Sequence, residues 1–99
     1  MRVVVVTKEG MDYSRGVNDW LREFERRVGK ELEVVDPETR EGVGFAEVYG
    51  VVEYPTILAL SDEGKLMNSW RGQVLPKIDE VSYYAGDGLS DGREELGGE

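Results

Sequence analysis

The polar side chains that could take part in chemistry are gathered in one short segment near the start of the chain. Lys8, Asp12 and Ser14 offer an amine, a carboxylate and a hydroxyl group. A serine is a strong nucleophile only when a neighbouring base takes its proton, and the sequence contains no histidine. It also contains no cysteine, which removes thiol nucleophiles, disulfides and soft metal ligands. We therefore expect no thiol redox chemistry, no His-based triad and no metal site.

Length and charge exclude further classes of function. The 99 residues suffice for one domain with one hydrophobic core. A net charge of −9 repels nucleic-acid backbones and anionic lipid surfaces, so neither is an expected partner. The longest apolar run, residues 3–6, is too short to cross a membrane. Because Arg2 is followed by only four valines and no cleavage site for a secretory signal, we expect a cytoplasmic protein.

The elements that would position the polar segment begin with a strand and a helix. Residues 2–7 form a β-branched run without alternation, which predicts a strand buried on both faces. A helix should follow from an N-cap at Ser14 to a stop at Gly29. Its apolar stripe has spacings of three and four residues and comprises Val17, Trp20, Leu21, Phe24 and Val28.

A second strand and a weaker helix come next. Residues 32–35 read as a short strand, and Asp36 with Pro37 predicts a helix start, with Asp36 as the N-cap. This helix should run to about Tyr49, with a thin apolar stripe of Val43, Ala46 and Tyr49. Two glycines, Gly42 and Gly44, weaken it by about 1 kcal/mol each relative to alanine.

A hairpin and a last helix complete the predicted order βαβαββα. The strands are expected at residues 56–60 and 65–70, joined by a turn at 61–64. The last helix is expected at 75–84, with Pro76 near its start and Ile78 and Val81 facing inward. Residues 86–99 are rich in glycine and acidic residues, which predicts a disordered tail outside the 1–85 domain.

Two segments resemble the thioredoxin superfamily. Residues 4–10, VVVTKEG, are similar to the glutaredoxin segment that leads into the active-site motif C-P-Y-C, and here the next four residues are Met11-Asp12-Tyr13-Ser14. Residues 46–51 and 54–58, AEVYGV and YPTIL, resemble the thioredoxin stretch that carries a cis-proline, with Pro55 at that position. The resemblance implies an α/β, thioredoxin-like fold: a four-stranded mixed sheet flanked by three helices.

The same resemblance implies that the reactive atoms of the family are missing. Met11 stands where the family has its nucleophilic cysteine, and Ser14 stands where it has the resolving cysteine. Methionine cannot form a thiolate, so we expect a redox-inactive domain that is not an enzyme. Residues 73–75 replace the acidic pair with which glutaredoxins hold glutathione.

We therefore interpret the chain as a module that binds a protein or peptide of unknown identity. Binding would use a groove beside the implied cis-proline, without a cofactor, in a monomer or weak homodimer. One alternative is a structural subunit or homodimer that pairs through the sheet edge at residues 66–70. Another is a thiol-independent activity that uses Lys8, Asp12 or Ser14, or a glutathione-binding, transferase-like activity that activates the sulfur of a bound cofactor. The candidate groove residues are Lys8, Met11, Asp12, Tyr13, Ser14, Tyr54, Pro55 and Thr56.

Overall fold

The computed structural model describes residues 1–85 and contains seven elements in the predicted order. The predicted tail at 86–99 lies outside the described residues. The elements are β1 (Arg2–Val6), α1 (Ser14–Val28), β2 (Glu33–Val35), α2 (Arg40–Tyr49), β3 (Thr56–Leu60), β4 (Leu66–Arg71) and α3 (Ile78–Ala85).

The four strands form one mixed sheet in the order β2-β1-β3-β4. The pair β1 and β2 is parallel, whereas β1 with β3 and β3 with β4 are antiparallel. The two central strands are almost wholly apolar because helices cover both faces of the sheet, as the uninterrupted valine run predicts. The register pairs Val6 with Thr56, which brings the end of β1 next to the start of β3.

Alternate residues of the central strands supply two hydrophobic clusters, one on each face of the sheet. Val3, Val5 and Ile57 pack with residues of α1 and α3. On the other face, Val4, Val6, Leu58 and Leu60 pack with Phe45, Ala46 and Tyr49 of α2. None of the three helices among residues 1–85 combines the length and the apolar character that a membrane span requires.

The apolar stripe of α1 packs as its spacing predicts, but the helix begins differently. Val17 and Phe24 are buried, and the rings of Trp20 and Phe24 stack at 5.4 Å. Gly29 ends the helix with φ of 80°, and its N–H donates to the carbonyl of Glu25. The N-cap prediction is wrong: Tyr13 holds that position without a side-chain cap, and Ser14 is the first helical residue. The Ser14 hydroxyl turns back to the preceding loop instead.

Helix α2 begins at Arg40, later than the Asp36-Pro37 pair predicts. The Asp36 carboxylate accepts the N–H of Glu38 and so closes a turn. Thr39 then caps the helix, because its hydroxyl accepts the N–H of Gly42 at 3.1 Å. The prediction that Val43 faces the core is also wrong, since 45% of it is exposed. The inner face of the helix is instead formed by Gly42, Phe45, Ala46 and Tyr49.

The hairpin agrees with its prediction more closely than the last helix does. Strand β3 has the predicted bounds, and β4 is shifted by one residue along the chain. Helix α3 begins at Ile78 rather than near Leu75, because the segment before it serves another contact: the carbonyl of Pro76 accepts the indole N–H of Trp20 at 2.9 Å. Within α3, Ile78 and Val81 are buried as predicted.

An ion pair ties the short edge strand β2 to β1. The guanidinium of Arg2 donates from Nε and Nη2 to the two carboxylate oxygens of Glu33, both at 2.8 Å. These hydrogen bonds lower the pKa of Glu33 against a smaller opposing effect of burial. The guanidinium also lies 5.3 Å from the ring centroid of Phe45, so it joins α2 to the same edge.

Candidate functional site

The predicted site residues meet at one end of the sheet. Because β1 and β3 are antiparallel and Val6 pairs with Thr56, the loop that leaves β1 and the segment that enters β3 lie at the same end. We call residues 8–14 and 54–56 together the loop–proline corner. The cation of Lys8 connects its two parts, since the Nζ atom lies 5.7 Å from the ring centroid of Tyr54.

Ser14 fixes the shape of the loop from inside. Its hydroxyl donates to the carbonyl of Lys8 at 2.6 Å and accepts the N–H of Met11 at 2.9 Å. Its own N–H donates to the carbonyl of Met11 at 3.0 Å. Only 7% of Ser14 is exposed. The side chain therefore positions the backbone of the loop and offers little contact area to a ligand.

The proline side of the corner is built around buried Pro55 and Thr56. The Tyr54–Pro55 peptide bond is cis. The carbonyl of Pro55 accepts the N–H of Gly72 at 2.9 Å, and the Thr56 hydroxyl donates to the carbonyl of Glu53 at 2.7 Å. Tyr54 differs, because its backbone N–H and carbonyl make no hydrogen bond within residues 1–85. The fold among residues 1–85 therefore leaves this donor and this acceptor unpaired.

The side chains at the surface of the corner are Met11 and Asp12. Met11 is 46% exposed, and Asp12 is exposed as well. Lys8, Tyr13 and Tyr54 are half-buried. Tyr13 packs against the core cluster below α1 and α3, whereas Tyr54 packs against the cluster on the α2 side. The accessible part of the corner thus combines the thioether of Met11, the carboxylate of Asp12 and the partly exposed rings of Tyr13 and Tyr54.

The three polar groups considered for catalysis do not form a relay. The Lys8 ammonium lies 3.3 Å from Glu38 Oε2, and the Ser14 hydroxyl is occupied by backbone groups. Asp12 makes no hydrogen bond or ion pair with either of them in the described part of the chain. Residues 1–85 also hold no cluster of three or more acidic side chains placed to bind a metal ion.

Comparison with solved structures decides the fold. Thioredoxin 1 from the thermophilic eubacterium Thermosipho africanus aligns with 86% of this chain and 90% of its own, with a TM-score of 0.60 and 15% sequence identity. A malarial protein aligns with 82% of this chain and 90% of its own, with a TM-score of 0.59 and 12% identity. The chain has a thioredoxin-like fold. No protein-family model and no curated protein sequence matches it.

The thioredoxin-like domain therefore has the predicted α/β architecture without the thiols. Because the chain contains no cysteine, it cannot form the thiolate on which thioredoxin-type redox catalysis depends. Met11 and Ser14 lie where α1 begins, and no acidic side chain lies in the first turn of this helix. The amides of that turn remain, so the loop keeps a partial positive charge with no thiolate to stabilise.

In the described part of the thioredoxin-like domain, residues 1–85, the buried hydroxyl groups of Thr7 and Tyr13 lack a hydrogen-bond partner. Thr7 ends the run that forms β1, and Tyr13 precedes α1, so both flank the loop of the corner. An unpaired buried hydroxyl costs free energy because it has lost its water without gaining a partner. Sequence reasoning missed Thr7, since β-branched threonine fits the valine run and nothing in the pattern shows that its hydroxyl is unpaired.

Thr7 and Thr56 form a matched pair for a test of this cost. We expect Thr7→Val to raise the free energy of unfolding by about 1 kcal/mol, because valine keeps the shape and removes the unpaired hydroxyl. Thr56→Val should lower it by about 1 kcal/mol, because the hydrogen bond to Glu53 is lost at an equally buried position. Urea unfolding of both variants measures the difference. Equal destabilisation would show that the Thr7 hydroxyl has a partner.

Proposed function

We propose that the chain is a cytoplasmic, redox-inactive, thioredoxin-like domain that binds an extended peptide segment of a partner protein at the loop–proline corner. The observation that carries the proposal is the backbone of Tyr54, whose N–H and carbonyl are unpaired within residues 1–85. An extended peptide can pair with such a donor and acceptor as an added strand does, which gives affinity with no need for catalytic groups.

The surface around Tyr54 supports this proposal. Met11 exposes an apolar side chain that adapts to partners of different shape. The Lys8 ammonium above the Tyr54 ring holds that ring in place through a cation–π contact. Ser14 holds the loop with buried hydrogen bonds. The backbone of the corner is therefore held by hydrogen bonds, whereas the Met11 side chain at its surface can adapt. A site with a backbone held in this way loses little conformational entropy when a peptide binds.

The test selects peptides from a random display library against the whole chain and compares two variants. Met11 and Met67 are exposed to 46% and 49%, and Met67 lies on β4 outside the corner. Met11→Asp should lower the affinity for the selected peptides at least about tenfold, because binding would bury a charge in place of a thioether. Met67→Asp should leave their affinity unchanged. Isothermal titration calorimetry measures both effects.

Two further readouts decide whether backbone pairing is involved. N-methylation of the peptide amide that faces Tyr54 removes one hydrogen bond and blocks close approach, so it should abolish binding. Backbone amide shifts in nuclear magnetic resonance (NMR) should cluster at residues 8–14 and 53–56. Peptides that keep their affinity for Met11→Asp, and that shift only amides elsewhere, would refute the proposal.

A second candidate function is supported by the exposed edge of the sheet. β4 is an edge strand, and it exposes Leu66 and Met67. A second copy could add its own β4 to this edge. Sedimentation equilibrium would then show a mass that rises with protein concentration. Met67→Asp should abolish that rise, whereas Met11→Asp should not, so the same two variants separate the two candidate functions.

A further inference from the structure

A second surface site lies where β4 meets α3, and none of its residues belongs to the loop–proline corner. It is an open cavity of about 260 Å³. Two of its lining residues, Asn68 and Trp70, come from β4, and three, Glu80, Tyr83 and Tyr84, come from α3. Three of the five side chains are aromatic. We call this cavity the aromatic pocket.

The rings of the aromatic pocket face different directions. Trp70 and Tyr84 meet edge to face, with centroids 5.6 Å apart and planes at 66°. Tyr83 and Tyr84 meet at 5.0 Å and 85°. In each edge-to-face pair only one ring turns its face towards the other, so the second ring does not use a face for this contact. Tyr83 is 73% exposed, so its ring is accessible from solvent.

Asn68 connects the two elements of the pocket through an exposed hydrogen bond. Asn68 Nδ2 donates to the hydroxyl of Tyr84 at 3.3 Å, and Asn68 Oδ1 accepts the N–H of Ser69 at 2.8 Å. Trp70 and Tyr84 both pack against the core cluster on this face of the sheet. Two of the three rings are therefore fixed before a ligand arrives, which lowers the entropic cost of binding.

The one charged side chain that lines the pocket among residues 1–85 is an acidic one. The carboxylate of Glu80 makes no ion pair with any described residue, although its neighbour Asp79 lies 3.7 Å from the guanidinium of Arg27. No lysine or arginine within residues 1–85 lines the cavity. The net charge of −9 for the whole chain adds a field that attracts cations. Anionic ligands are thus disfavoured, and cations are favoured.

We propose that the aromatic pocket binds a quaternary ammonium group. Such a cation presents methyl groups to the ring faces, and the rings attract its charge through their quadrupoles. The Glu80 carboxylate supplies the opposite charge. A primary ammonium suits the ring faces less well, because it is more strongly hydrated and loses more of its hydration when it leaves water for an aromatic surface. The chemistry is the same for a free quaternary amine and for a trimethylated lysine side chain.

The experiment titrates the whole chain with tetramethylammonium, choline and trimethyl-lysine at constant ionic strength. We expect saturable binding with dissociation constants of about 1–10 mM, since an open pocket desolvates the cation only in part. The two indole N–H signals in NMR provide an internal control. The Trp70 signal should shift, whereas the Trp20 signal should not, because that indole donates to the carbonyl of Pro76 outside the pocket.

A neutral ligand and four variants test the assignment. Neopentyl alcohol has nearly the shape of the cation without its charge and should bind at least about fivefold more weakly. Tyr83→Leu and Glu80→Gln should each lower the affinity for tetramethylammonium by about three- to tenfold. Tyr83→Phe keeps the aromatic ring, and Glu47→Gln removes a charge from α2 outside the pocket. Both variants should bind tetramethylammonium with the same affinity as the unchanged chain.

The outcomes are distinct. Tighter binding of choline or of trimethyl-lysine than of tetramethylammonium supports the proposal and identifies the source of the cation. If neopentyl alcohol bound as tightly as tetramethylammonium, the proposal would be overturned in favour of a simple apolar pocket. Cation binding without a shift of the Trp70 indole would also overturn it. Because neither Met11 nor Tyr54 lines the pocket, these results do not depend on the proposed peptide binding.

Discussion

Replacing Gly42 with alanine is expected to lower the free energy of unfolding by about 3 kcal/mol. A Cβ atom at this position would stand 1.9 Å from the carbonyl oxygen of Asp36 and 2.7 Å from the Cα atom of Pro37. Both neighbours are backbone atoms, so no side-chain rotation can relieve the overlap. Helix α2 would have to move away from the turn that precedes it. Urea unfolding followed by circular dichroism measures the loss.

Gly44 provides the control two residues further along the same helix. A Cβ atom there would meet no atom of residues 1–85 within 4 Å, apart from its own helix backbone and chain neighbours. Gly44→Ala is therefore expected to raise the free energy of unfolding by up to about 1 kcal/mol, because alanine loses less backbone entropy in a helix. Opposite signs for the two variants support the close approach at Gly42. Two stabilising substitutions would show that the turn and α2 are not packed as the structure has them.

The contrast between these glycines shows where sequence reasoning fails for α2. Helix propensity treats Gly42 and Gly44 alike and assigns a cost to both. The structure separates them because the segment at Asp36 and Pro37 folds as a turn beneath the first turn of the helix. That turn also moves the cap from Asp36 to Thr39. A short-range pattern cannot reveal which of two plausible caps lets the helix pack on the sheet.

The sheet could be predicted from the sequence because its signal is local and repeated. The bounds of β3 agree with the prediction, and β1 differs only at its last residue. Uninterrupted apolar runs have few ways to be buried on both faces other than as central strands. The start of α3 depends on a contact between Trp20 and Pro76, which are far apart in sequence. Nothing near Pro76 could predict that its carbonyl accepts an indole N–H.

The family resemblance predicts two segments for the candidate site, and that they form a site stays a prediction; the exposure of their side chains could not be predicted. The register of β1 and β3 brings both parts of the corner to one end of the sheet. Ser14 and Thr56 are nevertheless buried, because their hydroxyls hydrogen-bond to the backbone of adjoining segments. The aromatic pocket escaped sequence reasoning for a related reason: its rings come from two elements that only the tertiary fold brings together.

Reintroducing two cysteines, by Met11→Cys with Ser14→Cys, is expected to give an internal disulfide on mild oxidation. The Ser14 N–H donates to the carbonyl of Met11, and such a turn keeps the two Cα atoms within about 7 Å of each other. Disulfides span Cα separations of about 4.4–6.8 Å. The free energy of unfolding of the double variant should be about 2 kcal/mol higher in the oxidised form than in the reduced form. Mass spectrometry after thiol alkylation counts the free thiols.

The position of the new thiols at the start of α1 makes a second consequence testable. Free amides and the helix dipole stabilise a thiolate there, so the pKa of the cysteine at position 11 should lie below the ordinary value of about 8.5. The double variant should then catalyse disulfide reduction in an insulin assay, whereas each single variant should not, because catalysis requires the second thiol to release the mixed disulfide. Free thiols that persist after oxidation would contradict the loop geometry. A disulfide that forms without activity would show that the loop brings the two sulfur atoms together but that catalysis needs groups that the chain lacks.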